Sequence, residues 1–236
     1  LPPSGPLLRA ICSLGVSPFL NQMAMFLVQI TLNNTLTYYG ALSHYGEDIP
    51  LACVGVISKV NILMLGFTLG ISQGCQPIFS YNYGARQYSR VREAYRKAIV
   101  AASVICCIAF VCFQLFPRPI VALFDPSGSE EYFQFAERYF RIYMFMTLAN
   151  AFQPITANFF TSIGKAKRGA LIALTRQVIF LIPLILIFPL FLGIDGVMYA
   201  GPIADSAAVV VALALVTREM KRMPHVDEPV AADTPV

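Results

Sequence analysis

"QPIFSYNYGARQYSRVREAYRKA", residues 76–98, closes a long apolar run and opens a basic one. Gln76 and Pro77 stand at the end of the apolar side, while Arg86, Arg90, Arg92, Arg96 and Lys97 follow Gly84. An apolar helix loosened at Pro77, a turn at Tyr81, Asn82, Tyr83 and Gly84, and then a basic helix is the pattern of a chain leaving a bilayer. At about 100° per residue, Tyr88, Val91, Tyr95 and Ala98 fall on one face of the second helix, with the arginines on the other. Such a helix suits the cytoplasmic headgroup boundary. An ordinary basic loop would explain the charge but leave the periodic tyrosines unexplained.

Composition names the solvent. Of 236 residues, 57% are hydrophobic and 13% charged, with a mean hydropathy of +0.64. A soluble domain carries about 25% charged residues, so lipid solvates much of this surface. The net charge of +4 is modest and localised, and neither an RNA-binding signature, nor zinc-ligand spacing, nor a heptad run occurs. Nucleic acid is therefore not expected as a partner, nor a metal or other cofactor. Cys12, Cys53, Cys75, Cys106, Cys107 and Cys112 all sit in apolar runs, which marks them as packing residues and free thiols rather than a disulfide framework. The opening "LPPSGPLLRA" reads as a cytoplasmic linker (1–10) and not as a signal peptide.

Apolar segments of about 20 residues or more recur at 11–39, 50–80, 98–116, 133–163, 170–192 and 196–217, followed by a Pro-rich acidic tail, 218–236, expected to be disordered. Lys and Arg collect on one side of these segments, at Arg9, the 86–97 cluster, Lys165, Lys167, Arg168, Arg218, Lys221 and Arg222. The other side holds Arg118, Arg138 and Arg141 among Glu47, Asp48, Asp125, Glu130, Glu131 and Asp195. The alternation, loop by loop, puts both termini in the cytoplasm. The fold class is all-α and integral to the membrane.

Polar side chains at bilayer depth are costly and face a bundle interior or a hydrated cavity. Gln22, Gln29 and Asn33 share a face of span one within about 40°. Ser58, Asn61, Thr68, Ser72 and Gln76 occupy a sector of about 80° on span two. Tyr139, Tyr143, Asn150, Pro154 and Thr161 align on span four, flanked by Thr147, Gln153 and Asn158. Interhelical hydrogen bonding would explain one or two such groups per helix, whereas continuous stripes on three helices point to a cavity wall. Spans three and five are apolar all round, as lipid-facing helices are. Gly66, Gly70 and Gly74 form a separate small-residue face, read as close helix packing.

"GISQG", 70–74, matches the Gly-x-Ser-x-Gly pattern of serine hydrolases, but it lies in a helical run, and the two histidines, His44 and His225, are in a loop and the tail. No enzyme is expected. Lys59, Arg141, Arg176 and Asp205 are the ionisable groups deeper than the loops, of which Arg141 and Arg176 are near enough to span ends to snorkel. Lys59 and Asp205 lie at matching depths of roughly 12 and 15 Å from the outer ends of their spans. They are expected to pair, with Arg176 as the rival partner of Asp205. Pro202 and Ser206 beside Asp205 suggest a local break or a hydroxyl that satisfies the carboxylate.

The opening stretch closely resembles the span-ending motif of the multidrug and toxic compound extrusion (MATE) transporters, particularly their bacterial MepA-like branch. Gly15 to Pro18, "GISQGCQP", "QPITANFFTSIGKAKRGALIALTRQ" and "GPIAD" resemble the second half of that family. The resemblance implies six transmembrane helices forming one lobe of a twelve-helix MATE-type transporter in the bacterial inner membrane. Its partners would be membrane lipids, the N-terminal six-helix lobe and small drug-like substrates, and its coupling ion a proton or sodium. It also implies export of cationic or amphiphilic compounds through a cavity between lobes. Sodium-coupled members carry carboxylates on the spans equivalent to one and four. Here Asn21 and Gln22 stand on the first and no acid lies inside the fourth, Glu137 being nearest. The coupling carboxylate would then be in the other lobe, or be Asp205. A lipid-linked oligosaccharide flippase, which would need several cavity arginines, and a non-transporting scaffold subunit are the alternatives.

Overall fold

The protein is described from a computed structural model covering residues 5–126, 128–224 and 227, with the side chains of 6–18 and of Asn150 outside the description. It is a helical bundle without strands among those residues. Two 37-residue helices come first, α1 (Gly5–Ala41) and α2 (Asp48–Gly84), then α3 (Tyr88–Leu115). A short α4 (Pro117–Phe124) leads into α5 (Glu130–Tyr143), and a 3₁₀ turn at Met144–Met146 separates it from α6 (Ala149–Ser162). Then α7 (Ala166–Leu174), a π-helical segment (Thr175–Leu181) and α8 (Ile182–Leu192) run as one rod, and α9 (Ile194–Arg222) closes the chain.

Among the described residues, α2, α3, the 166–192 rod and α9 are each long and apolar enough to cross a membrane. The expected fourth span is instead broken by the 3₁₀ turn. Residues 5–10, read as linker, belong to α1, and α9 continues past 217 to Arg222. Of the tail expected to be disordered, 225, 226 and 228–236 lie outside the described residues, as do 1–4 of the linker.

The opening motif folds differently from its reading. α2 passes through Pro77, and Tyr81–Gly84 form its last turn rather than an exit loop. The reversal comes two residues later, at Arg86, whose φ of 55° is left-handed. Local hydrogen bonds hold the turn helical. Asn82 Nδ2 donates to the Ile78 carbonyl (2.8 Å), and the backbone N–H of Gln87 donates to the Asn82 carbonyl (2.9 Å). The Gln87 bond satisfies a carbonyl that a helix end otherwise leaves without a partner. No separate surface helix follows. The basic segment is the first turns of α3, continuous with the third span, with Val91 and Ala98 buried on its inner face.

Of the four long apolar helices, α9 has the most buried apolar window. Ala200, Ala204, Ala208 and Ala212, each four residues apart, are buried along it and let α5, α6 and α8 approach its backbone. That alanine stripe does the work expected of Gly66, Gly70 and Gly74. The glycine face of α2 is uncovered, with nothing within 4 Å of where a Cβ would stand. Phe79, Tyr95 and Phe159 join α2, α3 and α6 near the basic end, with Tyr95 Oη 2.7 Å from Thr156 Oγ1. At the opposite end Arg118 bridges Glu130 (2.7 Å) and Arg138 bridges Asp195 (2.8 Å). The Arg118 guanidinium holds the Glu130 carboxyl below the usual carboxylate range. All five described cysteines are free, Cys53 and Cys106 buried and Cys107 and Cys112 exposed; the Cys12 side chain lies outside the description.

Candidate functional site

The polar stripes divide into two populations. On α1, Gln22 and Gln29 are exposed and Asn33 half-buried, with Gln29 Nε2 donating to Asn33 Oδ1 at 2.9 Å. Residues four apart on a helix face meet in this way. On α2, Gln76 is exposed and Ser58 and Asn61 are half-buried, so these still face outward. Thr68 and Ser72 do not. Both are buried, Thr68 Oγ1 3.9 Å from Cys106 Sγ on α3 and Ser72 Oγ donating to the Pro154 carbonyl on α6 at 3.3 Å. Asn158 Nδ2 completes that seam with bonds of 3.0 Å to Ser72 O and Oγ. Thr68 and Ser72 are therefore helix-joining groups, a correction to their reading as cavity wall. Partners for these two hydroxyls offset the cost of holding a polar group in hydrocarbon.

Gln153 is half-buried and donates to the Ile172 carbonyl at 3.5 Å, a long contact between α6 and α7. Asn150 lies in α6, but its side chain is outside the description. Ser72 of the "GISQG" pattern is mid-helix and spent on Pro154, with no histidine beside it among the described residues.

Of the intramembrane charges, Arg176 and Asp205 pair and Lys59 stands apart from them. Arg176 Nε donates to Asp205 Oδ1 at 2.5 Å, with side chains 14% and 11% exposed. Lys59 is exposed on α2 and meets no carboxylate among the described residues, so the expected Lys59–Asp205 pair does not form. Matching depth placed them at one level but not on facing sides. Nor does Ser206 serve Asp205: its hydroxyl donates to the Pro202 carbonyl at 2.7 Å.

Three helical irregularities converge on this pair. Arg176 belongs to the π-helical segment, Asp205 follows Pro202 in α9, and Tyr143 ends α5 at the 3₁₀ turn. A π turn inserts an extra residue into the helical register, which re-aims the side chains it carries. Tyr143 is close enough to feel both charges, and it stacks on Tyr139 at 5.7 Å between ring centroids. Gly201 admits that ring, since a Cβ there would stand 2.6 Å from Tyr143 Cε2. Gly201→Val is expected to lose about 1–3 kcal/mol by overpacking, read as a lowered midpoint of thermal aggregation in detergent. An unchanged midpoint would mean that Tyr143 moves freely.

A family model described as MatE matches residues 22–187. The chain belongs to the MatE family. Among curated relatives, the multidrug export protein MepA of a Staphylococcus aureus strain is 23% identical over 216 residues, 91% of this chain and 45% of the relative. The protein of the same name from Staphylococcus haemolyticus gives the same figures, 23% over 216 residues, 91% and 45%. The chain thus spans about half the length of the curated relatives it matches. Its fold follows a MATE family multidrug resistance transporter solved in outward-facing form (TM-score 0.82, 21% identity) over 94% of this chain and 48% of that one. A multidrug resistance MATE family transporter solved in inward-facing form matches with a TM-score of 0.83 at 20% identity, over 94% of this chain and 50% of that one. The MatE chain is a multi-pass cell-membrane protein built as one lobe of that architecture.

Proposed function

We propose that this MatE lobe is the C-terminal half of a secondary active multidrug antiporter of the bacterial inner membrane, a transporter and not an enzyme. It exports cationic or amphiphilic compounds against a proton or sodium gradient, with both termini cytoplasmic. The observation that carries the reading is the outward-facing polar face of α1 and α2, Gln22, Gln29, Asn33, Asn61 and Gln76, on a lobe whose deep carboxylate, Asp205, is paired with Arg176. A second six-helix lobe set against that face would enclose a hydrated cavity to which this polar face adds no fixed anion, and a weakly polar wall tolerates varied substrates. The near-equal fit to inward-facing and outward-facing relatives supports a lobe that moves as a rigid body, as rocking alternating access requires.

Two measurements test this. The 236-residue chain alone, in liposomes with an imposed pH or sodium gradient, is expected to give no efflux of a fluorescent cation. Efflux by a monomeric lobe overturns the reading. In the complete two-lobe transporter, Gln29→Leu is expected to change the relative export rates of different drugs severalfold while folded protein stays at its normal level. A uniform loss of folded protein would instead make Gln29 a packing residue.

A further inference from the structure

On the flank of the bundle a cavity of about 510 Å³ opens between α3, α6 and α9, within the ~300–1,000 Å³ of small-molecule sites. Its wall is apolar, made by Ile99, Val100, Phe152, Leu213, Val216 and Met220, and its rim carries Arg96 and Lys221. Val100 and Leu213 are 55% and 41% exposed, so the wall is open to its surroundings. Arg96 precedes Val100 by one turn on α3, while Leu213, Thr217 and Lys221 descend α9 at intervals of four. The two helices run oppositely, so both cations stand at the same end of the apolar wall, toward the basic side of the protein. Neither has a carboxylate partner among the described residues. Glu93, at the rim of an adjoining hollow, is held by Lys97 at 2.7 Å.

We infer that this groove binds an anionic membrane phospholipid, its phosphodiester between Arg96 and Lys221 and an acyl chain along the apolar wall. Both walls are membrane-spanning helices, so the fluid in contact with the groove is lipid. A basic pocket between such helices selects anionic headgroups, and a guanidinium with an ammonium gives a phosphate directional and point-charge partners together. Charge also argues against the competing occupant: a cationic drug would meet two cations at the mouth. The inference rests on the membrane-spanning fold and not on the transport reading.

The chain has no tryptophan, so a single introduced one is a clean reporter. Leu213→Trp, reconstituted in mixed vesicles, is expected to be quenched by phosphatidylglycerol with brominated chains at a mole fraction on the order of tenfold lower than by brominated phosphatidylcholine. Arg96→Gln with Lys221→Gln in that background should erase the difference. Leu190→Trp, exposed on α8, should show no headgroup preference. Val100→Trp serves if the first reporter does not fold. Equal quenching by both lipids at the groove, or a preference that survives the double substitution, overturns the inference. So does displacement of the brominated lipid by a lipophilic cation, which would make the groove a substrate site, or by free inorganic phosphate alone, which would leave the chains without a role.

Discussion

Arg176→Leu is expected to cost the folded lobe about 3–5 kcal/mol, the penalty for leaving a buried charge without its partner. Asp205 is 8% exposed, and its carboxylate has Arg176 at 2.5 Å. Removing the guanidinium strands an anion among Gly201, Pro202 and Ala204, all buried on α9. Asp205→Asn should also destabilise, by leaving Arg176 unpaired at bilayer depth. Arg176→Leu with Asp205→Leu should recover most of the loss, because apolar replacements of a buried pair are commonly neutral or better. Size-exclusion profiles after heating in detergent would read the three effects. A double variant no better than the singles would show that the pair also fixes the geometry of the π-helical segment. In the complete transporter, Asp205→Asn should keep gradient-driven efflux. Wild-type stability with efflux uncoupled from the gradient would make Asp205 the ion site instead.

The second large effect lies at the basic end, where Glu219 of α9 is 2% exposed and accepts from both Lys165 and Arg168. The two sides of this bridge are unequal, for the Lys165 and Arg168 side chains are 35% and 38% exposed. Lys165→Met with Arg168→Met strands the buried acid and is expected to cost about 3–5 kcal/mol. Glu219→Gln leaves two cations that can turn toward water or headgroups and should cost only about 1–2 kcal/mol. The ordering, read from the same heated profiles, is the test. Glu219→Gln as damaging as the double substitution would mean that the cations, not the acid, are the trapped partners. The α9 end is clamped a second time, by Arg92 donating to the Met223 and Pro224 carbonyls at 2.8 and 2.9 Å. Ser89 donates to Asp227 through both its backbone N–H and its hydroxyl, holding that carboxyl below its usual range.

Membrane class and family were legible along the chain, because each is a property of one helix at a time. Twenty apolar residues span a bilayer whatever surrounds them, and the 76–98 motif carries its family in a single stretch. A stripe of polar residues is likewise visible on one helix, as Gln29 and Asn33 show. What such a stripe faces is a property of two helices, and there the reading split. Thr68 and Ser72 share the sector of Asn61 and Gln76, yet they fall against α3 and α6 and became seams. The Ala200, Ala204, Ala208 and Ala212 spacing was present to be read, but the more conspicuous glycines of α2 drew the packing assignment to a face the lobe leaves open. Asp205 chose Arg176 over Lys59 for the same reason. Depth along a helix follows from counting residues. Azimuth does not, once a 3₁₀ turn, a π turn and a proline each rotate the side chains beyond them.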